Sequence, residues 1–412
     1  SSRVKIRVAS AVRREPPLVV GASSGVVALA EAPGEIDTVA AASASAARSR
    51  SVGSLSPAMV GRRAYTRLSL TLRARAAQIR VAMDYRFLGR TGVCVSRLVF
   101  GTMSFGTDAD EATSAALFSR CRDQGINFFD CADVYAKGRS EEILGKLMAS
   151  CRDELVISTK AYFPTGDDPN ARGSSRLHLV RAVEASLRRL GTDRIDVFFL
   201  HRFDDRTAVD ETLSALDTLV QQGKILYPAV SNFSAWQTAK MLGVAAQRGL
   251  SPIVASQPMY NLLKRQAEVE ILPHAISEGL GVLTYSPLGG GLLSGKYGVK
   301  KAPASGRMVD NAMYKTRYGA PSTFEIADAF TQLAASLGHH PATLAIAWVA
   351  SQPGVTAPLI GARNLEQLEP CLAAADLVLD DQTRAQVSAL SPEPPPATDR
   401  NEEKSAHNYG SR

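Results

Sequence analysis

The sequence predicts a closed parallel (β/α)8 (TIM) barrel, on three observations. From Val95 onward, short apolar and β-branched runs alternate with amphipathic helical stretches, and each pair takes roughly 30 residues. Eight strand segments of this kind follow one another. They are apolar along most of their length, as expected of strands covered on both faces. Eight strands that are each followed by a helix are typical of a barrel.

The strand segments share a β-branched or aromatic core and end near polar residues. They are VSRLVFGTM (95–103), FFDCAD (128–133), LVISTKA (155–161), IDVFFLH (195–201), ILYPAVSN (225–232), IVASQ (253–257), GVLTYSPL (281–288) and VTAPLIGA (355–362). The intervening stretches have helical periodicity. In residues 174–191, for example, apolar side chains recur every three or four positions from Leu179 to Leu190, and Gly191 is a typical helix terminator.

A doubly wound open sheet is the alternative fold. It would require a glycine-rich turn after the first strand, but Gly101 and Gly106 there do not form a GxGxxG motif. Pro228 lies within the fifth strand segment, so that position must not need a ladder donor. The long connection 289–322 follows the seventh strand, and a loop of this length is more often functional than structural. The barrel remains the preferred prediction.

The composition divides the chain into a basic extension, 1–82, a barrel, 83–391, and a flexible tail, 392–412. Residues 1–82 hold 13 Lys and Arg but only four Asp and Glu, which leaves 34 basic and 36 acidic residues in 83–412. The pI near 9.2 therefore reflects the extension and does not indicate a nucleic-acid-binding barrel. No run approaches the ~20 apolar residues of a membrane span. Five cysteines without a CxxC pair predict reduced thiols and no metal.

Two interpretations of residues 1–82 stay open. Their Arg, Ala and Ser content and scarcity of acids fit a transit peptide, which would direct the protein to a plastid or mitochondrion. The other interpretation, slightly preferred, is a disordered segment or one outside the natural reading frame. Met83 opens a stretch that is typical of a natural start. In that case the barrel is expected to be cytoplasmic.

Polar residues stand at successive strand ends. The second strand ends in Asp130 with Tyr135 just beyond it, and the third and fourth end in Lys160 and His201. Later ends carry Ser231, Asn232, Gln257, Tyr285, Ser286 and Arg363. Because the carboxyl ends of barrel strands gather on one face, these side chains are expected to converge there.

The first four of these residues suit acid–base chemistry. A tyrosine near pKa 10 is a poor acid at neutral pH unless a cation favours its phenolate. Lys160 is expected to be that cation, held by an ion pair with Asp130. A neutral His201 would donate a hydrogen bond to a carbonyl oxygen. Such a group protonates an oxygen, so hydride must come from a nicotinamide cofactor.

The chain resembles the aldo-keto reductases from Tyr85 to Ala375. FFDCADVY resembles the family's Asp-x-Ala-x-x-Tyr box, and AVSNF, SQPMYNLLKR, YSPLGGGLLSGKY and PLIGARNLEQL follow in family order. The stretch LHRFDDRTAVDETLSALDTLVQQGKI is most similar to the branch with aryl-alcohol-type reductases and potassium-channel β-subunits. The resemblance implies NADPH-dependent reduction of small aldehydes or ketones, and the reverse oxidation with NADP+.

Carried over by position, the resemblance implies a catalytic tetrad of Asp130, Tyr135, Lys160 and His201, with Tyr135 as proton donor. Arg363 would meet the 2′-phosphate of NADPH. The implied cofactor residues are Ser231, Asn232, Gln257, Tyr285, Ser286, Pro287, Leu288, Gly291, Lys296, Arg307, Gly361, Arg363 and Gln367. An aromatic substrate rim is predicted from Phe105, Tyr162, Phe163 and Phe203.

One position departs from the family pattern. A Glu-Asn pair usually follows the glutamine, but here Pro370 and Cys371 occupy those places, which predicts an altered grip on adenine. Two other functions are alternatives to the reductase. One is a cofactor-binding partner of the channel β-subunit kind with little turnover. The other, a structural barrel with vestigial machinery, is opposed by the intact tetrad.

Overall fold

The computed structural model describes residues 83–398 together with 400, 402 and 405. The predictions made for residues 1–82, including the transit peptide, lie outside the described residues, and so does much of the 392–412 tail. The strands are β1 (Tyr85–Phe87), β2 (Cys94–Ser96), β3 (Val99–Gly101), β4 (Phe128–Asp130), β5 (Val156–Ala161), β6 (Ile195–Leu200), β7 (Ile225–Ser231), β8 (Ala255–Gln257), β9 (Gly281–Thr284) and β10 (Ala357–Ile360).

Strands β3 to β10 form a closed barrel in which every neighbouring pair is parallel. Strand order follows chain order, and β10 closes the ring against β3. Each strand is connected to the next by a crossover over the outside of the barrel, as parallel pairing requires. The predicted (β/α)8 fold is therefore confirmed, and the open-sheet alternative is excluded.

Helices surround the barrel in the described part of the chain. They are α1 (Glu111–Asp123), α2 (Arg139–Met148), α3 (Arg176–Leu190), α4 (Val209–Gln221), α5 (Ala235–Arg248), α6 (Ile271–Glu278), α7 (Arg307–Asp310), α8 (Ala312–Tyr318), α9 (Pro321–Ser336), α10 (Pro341–Ala350), α11 (Leu365–Leu372) and α12 (Asp381–Ser388). The Gly191 terminator predicted for α3 adopts the left-handed conformation, with φ 61°.

The first predicted strand, 95–103, divides into two elements. Its first part is β2, which pairs with β1 in an antiparallel hairpin, and its last part is β3 of the barrel. Between them, the Arg97 guanidinium donates hydrogen bonds to the carbonyls of Ala375 and Leu377. Leu88 from the hairpin packs with Val99 and other interior residues and covers the amino-terminal end of the barrel. Apolar content alone cannot distinguish this hairpin from a longer strand.

Alternation along the strands separates the barrel interior from the outer core. On β6, Val197 and Phe199 belong to the interior cluster, whereas Phe198 packs in the cluster that the helices cover. All three side chains are fully buried, which explains why the strand is apolar throughout. Pro228 lies inside β7, where its carbonyl accepts from the Val254 N–H at 2.9 Å. The ladder uses this acceptor and needs no donor at that residue.

Candidate active site

A cavity of about 1040 Å³ opens at the carboxyl ends of the barrel strands. Its lining comes from the ends of several strands, from the connection after β9, and from the start of α11. This volume lies at the upper end of the range for ligand pockets, enough for a dinucleotide and a small second molecule. The location matches the face where barrel enzymes place their chemistry.

An ion pair lies beneath this cavity. Lys160 Nζ is 2.5 Å from Asp130 Oδ2, and both side chains are almost completely buried. Lys160 also donates to the Cys131 carbonyl at 2.7 Å. The other oxygen of Asp130 accepts from Ser158 Oγ at 2.7 Å and from Gln257 Nε2 at 3.0 Å. Every charged atom of the pair therefore has a partner, which offsets the cost of burying the two charges.

Tyr135 lies beside this ion pair at the start of a single 3-10 turn, Tyr135–Gly138. Its ring centroid is 5.4 Å from Lys160 Nζ. Burial raises the pKa of the Tyr135 phenol well above its usual value, and the negative charge of Asp130 raises it further. The phenol is therefore a protonated donor at neutral pH. The Lys160 ammonium donates to Asp130 and to the Cys131 carbonyl. That it also favours the Tyr135 phenolate stays a prediction.

His201 completes the group. Its ring lies edge-on to that of Tyr135, with centroids 6.2 Å apart, and contacts the Phe163 ring at 4.8 Å. Burial, together with the charge of Lys160, lowers the pKa of His201 to about 3, so the imidazole is neutral. Among the described residues, its buried Nδ1 has no hydrogen-bond partner. A neutral imidazole keeps one N–H, which can orient a carbonyl oxygen.

Four further residues form a hydrogen-bonded group beside His201. The Tyr285 hydroxyl donates to Asn232 Oδ1 at 2.6 Å, and Asn232 Nδ2 donates to the His201 carbonyl at 3.0 Å. Ser231 Oγ donates to the Gln257 carbonyl at 2.9 Å. The resemblance implied that Ser231, Asn232 and Gln257 hold a nicotinamide carboxamide and that Tyr285 stacks on its ring. The structure brings them together within reach of the tetrad.

The rest of the cavity suits a molecule with several phosphates. After β9, Ser286 has a positive φ of 58°, and a turn over Gly289–Ser294 follows, in which Gly291 has a φ of 101°. Lys296, Arg307 and Arg363 line the same region. Backbone turns of this type with nearby cations are suited to anions. The donor set therefore fits a molecule with several phosphates, such as a dinucleotide.

The predicted site residues fall into two sets. Asp130, Tyr135, His201 and the whole predicted cofactor set line the cavity, while Lys160 lies buried behind Asp130. Of the predicted substrate rim, Phe163 lines the cavity. Phe105 has no exposed surface and packs in the outer core, and Phe203 packs against Phe233 and Trp236. Neither they nor Tyr162 line the cavity, because strand-end aromatics can also turn toward helices.

The departure at the adenine end is also visible. Pro370 and Cys371 both line the cavity within α11. Thr343 donates to the Pro370 carbonyl at 2.6 Å, so the proline is tied to α10. Burial raises the pKa of the Cys371 thiol to about 12, and the thiol donates to the Gln367 carbonyl. These side chains offer no amide or carboxylate to the adenine base of a cofactor, so altered binding of the adenine remains the prediction.

Sequence reasoning missed part of the lining. The apolar residues Met103, Met259 and Met313 line the cavity with Ser104 and Tyr314, and so do Arg202 and Arg317. The sequence position of Arg202 could have indicated a cavity residue, since it follows His201 directly at a strand end. For Met313, Tyr314 and Arg317, the length of the connection 289–322 was the only signal. No periodicity shows which side chains of this connection turn inward.

A parallel barrel with this acid–base group beside a dinucleotide-sized cavity defines the class of (β/α)8-barrel oxidoreductases. The profile of the Aldo/keto reductase family matches residues 97–392. The chain belongs to this family, as its motifs predicted. Nicotinamide cofactors are typical of the family.

Curated relatives agree with this assignment. An uncharacterized oxidoreductase, YrpG, of Bacillus subtilis is 39% identical over 76% of this chain and 97% of its own length. A probable voltage-gated potassium channel subunit beta of Oryza sativa is 39% identical over 72% of this chain and 92% of its own. An L-glyceraldehyde 3-phosphate reductase of Escherichia coli is 35% identical over 70% and 86%. Within the described residues, no helix is long and apolar enough to cross a membrane.

Proposed function

We propose that this protein is an NADPH-dependent reductase of small aldehydes or ketones, with Tyr135 as the proton donor. The observation that carries the proposal is the meeting of a protonated phenol, a buried ion pair and a neutral imidazole at one cavity. Burial raises the pKa of Tyr135 and lowers that of His201 to about 3. The two groups therefore provide one proton donor and one neutral hydrogen-bond donor at neutral pH.

Each residue has a distinct part in this proposal. His201 orients the carbonyl oxygen of the substrate toward the Tyr135 hydroxyl, which transfers its proton to that oxygen. The positive charge of Lys160 stabilises the phenolate that remains, and Asp130 fixes the lysine at 2.5 Å. When bound, the nicotinamide supplies the hydride. Because Asp130 is also bonded to Ser158 and Gln257, the ion pair is held from three sides.

NADPH is favoured over NADH by the basic lining. Ser231, Asn232 and Gln257 would hold the nicotinamide carboxamide, and Tyr285 would stack on its ring. Lys296 and Arg307 would lie along the pyrophosphate. Arg363 would contact the 2′-phosphate, for which its planar guanidinium is suited. The further predicted cofactor residues, all in the cavity lining, are Ser286, Pro287, Leu288, Gly291, Gly361 and Gln367.

The reductase is preferred over a binding role without turnover. Some relatives are named as channel subunits, but the acid–base group of this chain is complete and its parts are in contact. Relatives named as reductases act on carbonyl groups, one on L-glyceraldehyde 3-phosphate. A small carbonyl compound is accordingly the proposed substrate.

The test is cofactor consumption by the purified full chain with a panel of aromatic and aliphatic aldehydes, ketones and pyridoxal. Oxidation of NADPH should be faster than that of NADH with at least one compound. If NADPH binds tightly and no compound is reduced, the proposed activity is wrong and the partner role takes its place.

A further inference from the structure

The lining of the cavity is strongly basic. It contains five basic residues, Arg202, Lys296, Arg307, Arg317 and Arg363. Its acidic residues are Asp130, which is already paired with Lys160, and Glu366. Three of the cations are placed for the phosphates of the proposed cofactor. Arg202 and Arg317 have no part in that proposal.

Arg202 lies at the catalytic end of the cavity. It directly follows His201, whose carbonyl accepts from Asn232 Nδ2. Its side chain is exposed, and no acidic partner lies within ion-pair distance among the residues that the structure describes. An arginine without an acid, beside a catalytic histidine and on a cavity wall, is available to a ligand.

Arg317 lines the same cavity from helix α8. Its guanidinium carbon is 5.5 Å from the centroid of the Tyr314 ring, and its Nη2 contacts Met313 Sδ at 3.8 Å. Burial raises the pKa of Tyr285, and the charge of Arg317 partly offsets that effect. Tyr285, whose hydroxyl is bonded to Asn232, lines the same cavity. In the described part of the chain, Arg317 also has no acidic partner.

Both arginines thus line the cavity that is also lined by Tyr285, Asn232 and His201. We propose that the two arginines form a subsite for an anionic group on the substrate, a phosphate or a carboxylate. This rests on the proposed function, and it narrows the substrate to a carbonyl compound that carries negative charge. Guanidinium groups bind the oxygens of both anions in pairs, and a surplus of positive charge in a cleft attracts such substrates.

Matched substrate pairs test the subsite on the full chain with NADPH. One pair is glyceraldehyde 3-phosphate and glyceraldehyde, and the other is 4-carboxybenzaldehyde and benzaldehyde. The ratio of kcat/KM for the anion to that for its neutral partner should be about ten or more for at least one pair. The pair with the larger ratio identifies phosphate or carboxylate as the preferred group.

Substitution then assigns the preference to these residues. Arg202→Met and Arg317→Met should each lower the ratio about ten-fold, as loss of a charge-assisted hydrogen bond does. Arg206→Met, in the same loop as Arg202, and Lys315→Met, on the same helix as Arg317, remove a charge outside the cavity lining. Both controls should leave the ratio unchanged.

A binding measurement separates this inference from the reaction itself. Calorimetric titration of the NADP+-saturated protein should show glycerol 3-phosphate binding about ten-fold more tightly than glycerol, with the difference reduced in both arginine variants. A wild-type ratio near one in both pairs, or an unchanged ratio in both variants, overturns the subsite. If none of the four compounds is reduced, the reductase proposal fails, and the titration alone then decides on the subsite.

Discussion

Tyr135 and His201 set the pH behaviour of the site at the scale of single residues. Because burial lowers the pKa of His201 to about 3, its charge state does not change between pH 5 and 8. Activity in the reducing direction should therefore show no inflection near pH 6.5, the ordinary value for histidine. The profile of kcat/KM against pH measures this. An inflection near 6.5 that disappears in His201→Gln would contradict the assignment of a neutral imidazole.

Arg363 has an internal competitor for the 2′-phosphate. Its Nε is 3.1 Å from Asp108 Oδ2, and both side chains are partly exposed. A cofactor phosphate must replace this carboxylate, so Asp108→Asn should bind NADPH up to about five-fold more tightly, in line with the strength of exposed ion pairs. NADH affinity should stay the same, since NADH has no phosphate there. Fluorescence titration of both cofactors measures the two constants.

The Arg363→Ala variant provides the control for this pair. It should weaken NADPH more than NADH, by about 2 kcal/mol if a charged hydrogen bond is lost. In the Arg363→Ala background, Asp108→Asn should no longer change NADPH affinity, since no ion pair remains to be broken. An equal effect of Asp108→Asn in both backgrounds would mean that Asp108 acts in another way.

Asp133, between the members of the acid–tyrosine motif, is a buried carboxyl that the mechanism does not use. Among the described residues, neither of its oxygens has a hydrogen-bond partner. Burial raises its pKa to about 7, and the charge of Glu141 contributes in the same direction. The folded state therefore holds a proton that the unfolded state releases near pH 4, so stability decreases as pH rises from about 4 to 7.

Replacement by a neutral residue should remove this pH dependence. The free energy of unfolding of Asp133→Asn minus that of the wild type should increase as pH rises. This difference should be larger at pH 8 than at pH 4, on the order of a few kcal/mol. Urea unfolding at both pH values gives the comparison. Asp167→Asn makes the same charge change at an exposed position and is the control. A difference between Asp133→Asn and wild type that is equal at both pH values would refute the raised pKa.

At the scale of elements, strand ends were more predictable than strand lengths. Lys160 and His201 were placed at the ends of their strands because polar residues interrupt apolar runs there. The hairpin that begins at Tyr85 was missed, because its pairing is antiparallel and depends on contacts with residues far along the chain, such as Gly281. A hydrophobic pattern predicts which residues are buried, but it does not predict the strand with which a segment pairs.

Close packing of α2 on α3 depends on a single glycine. A Cβ built on Gly145 would lie 2.5 Å from the Leu190 carbonyl oxygen, a backbone atom that cannot move aside. Gly145→Ala should therefore destabilise the fold by about 1–3 kcal/mol despite the better helix propensity of alanine. Chemical denaturation measures the change.

Gly243→Ala is the matched control, also inside a helix. Nothing lies within 4 Å of its built Cβ, and the residue is exposed. Its substitution should stabilise the protein by up to about 1 kcal/mol through helix propensity. If both variants change stability in the same direction, the α2–α3 contact is not as close as the structure shows.

At the scale of the whole molecule, the sequence predicted the barrel and most of the cavity lining, because strand ends meet on one face whatever the details of the loops. It could not place side chains whose position depends on how a long connection folds back. Arg317 and Tyr314 reach the cavity only because 289–322 covers it. The ion pair of Asp108 with Arg363 joins residues more than 250 positions apart, and no local pattern contains it.

The central claim is that Tyr135 donates the proton in an NADPH-dependent reduction. The most direct measurement compares the full-length wild type with Tyr135→Phe for both turnover of a reducible aldehyde and NADPH affinity. Turnover should fall about 10²–10⁴-fold in Tyr135→Phe, while the Kd for NADPH stays within about two-fold, since only the proton donor is removed. Equal turnover in the two proteins would rule out Tyr135 as the proton donor.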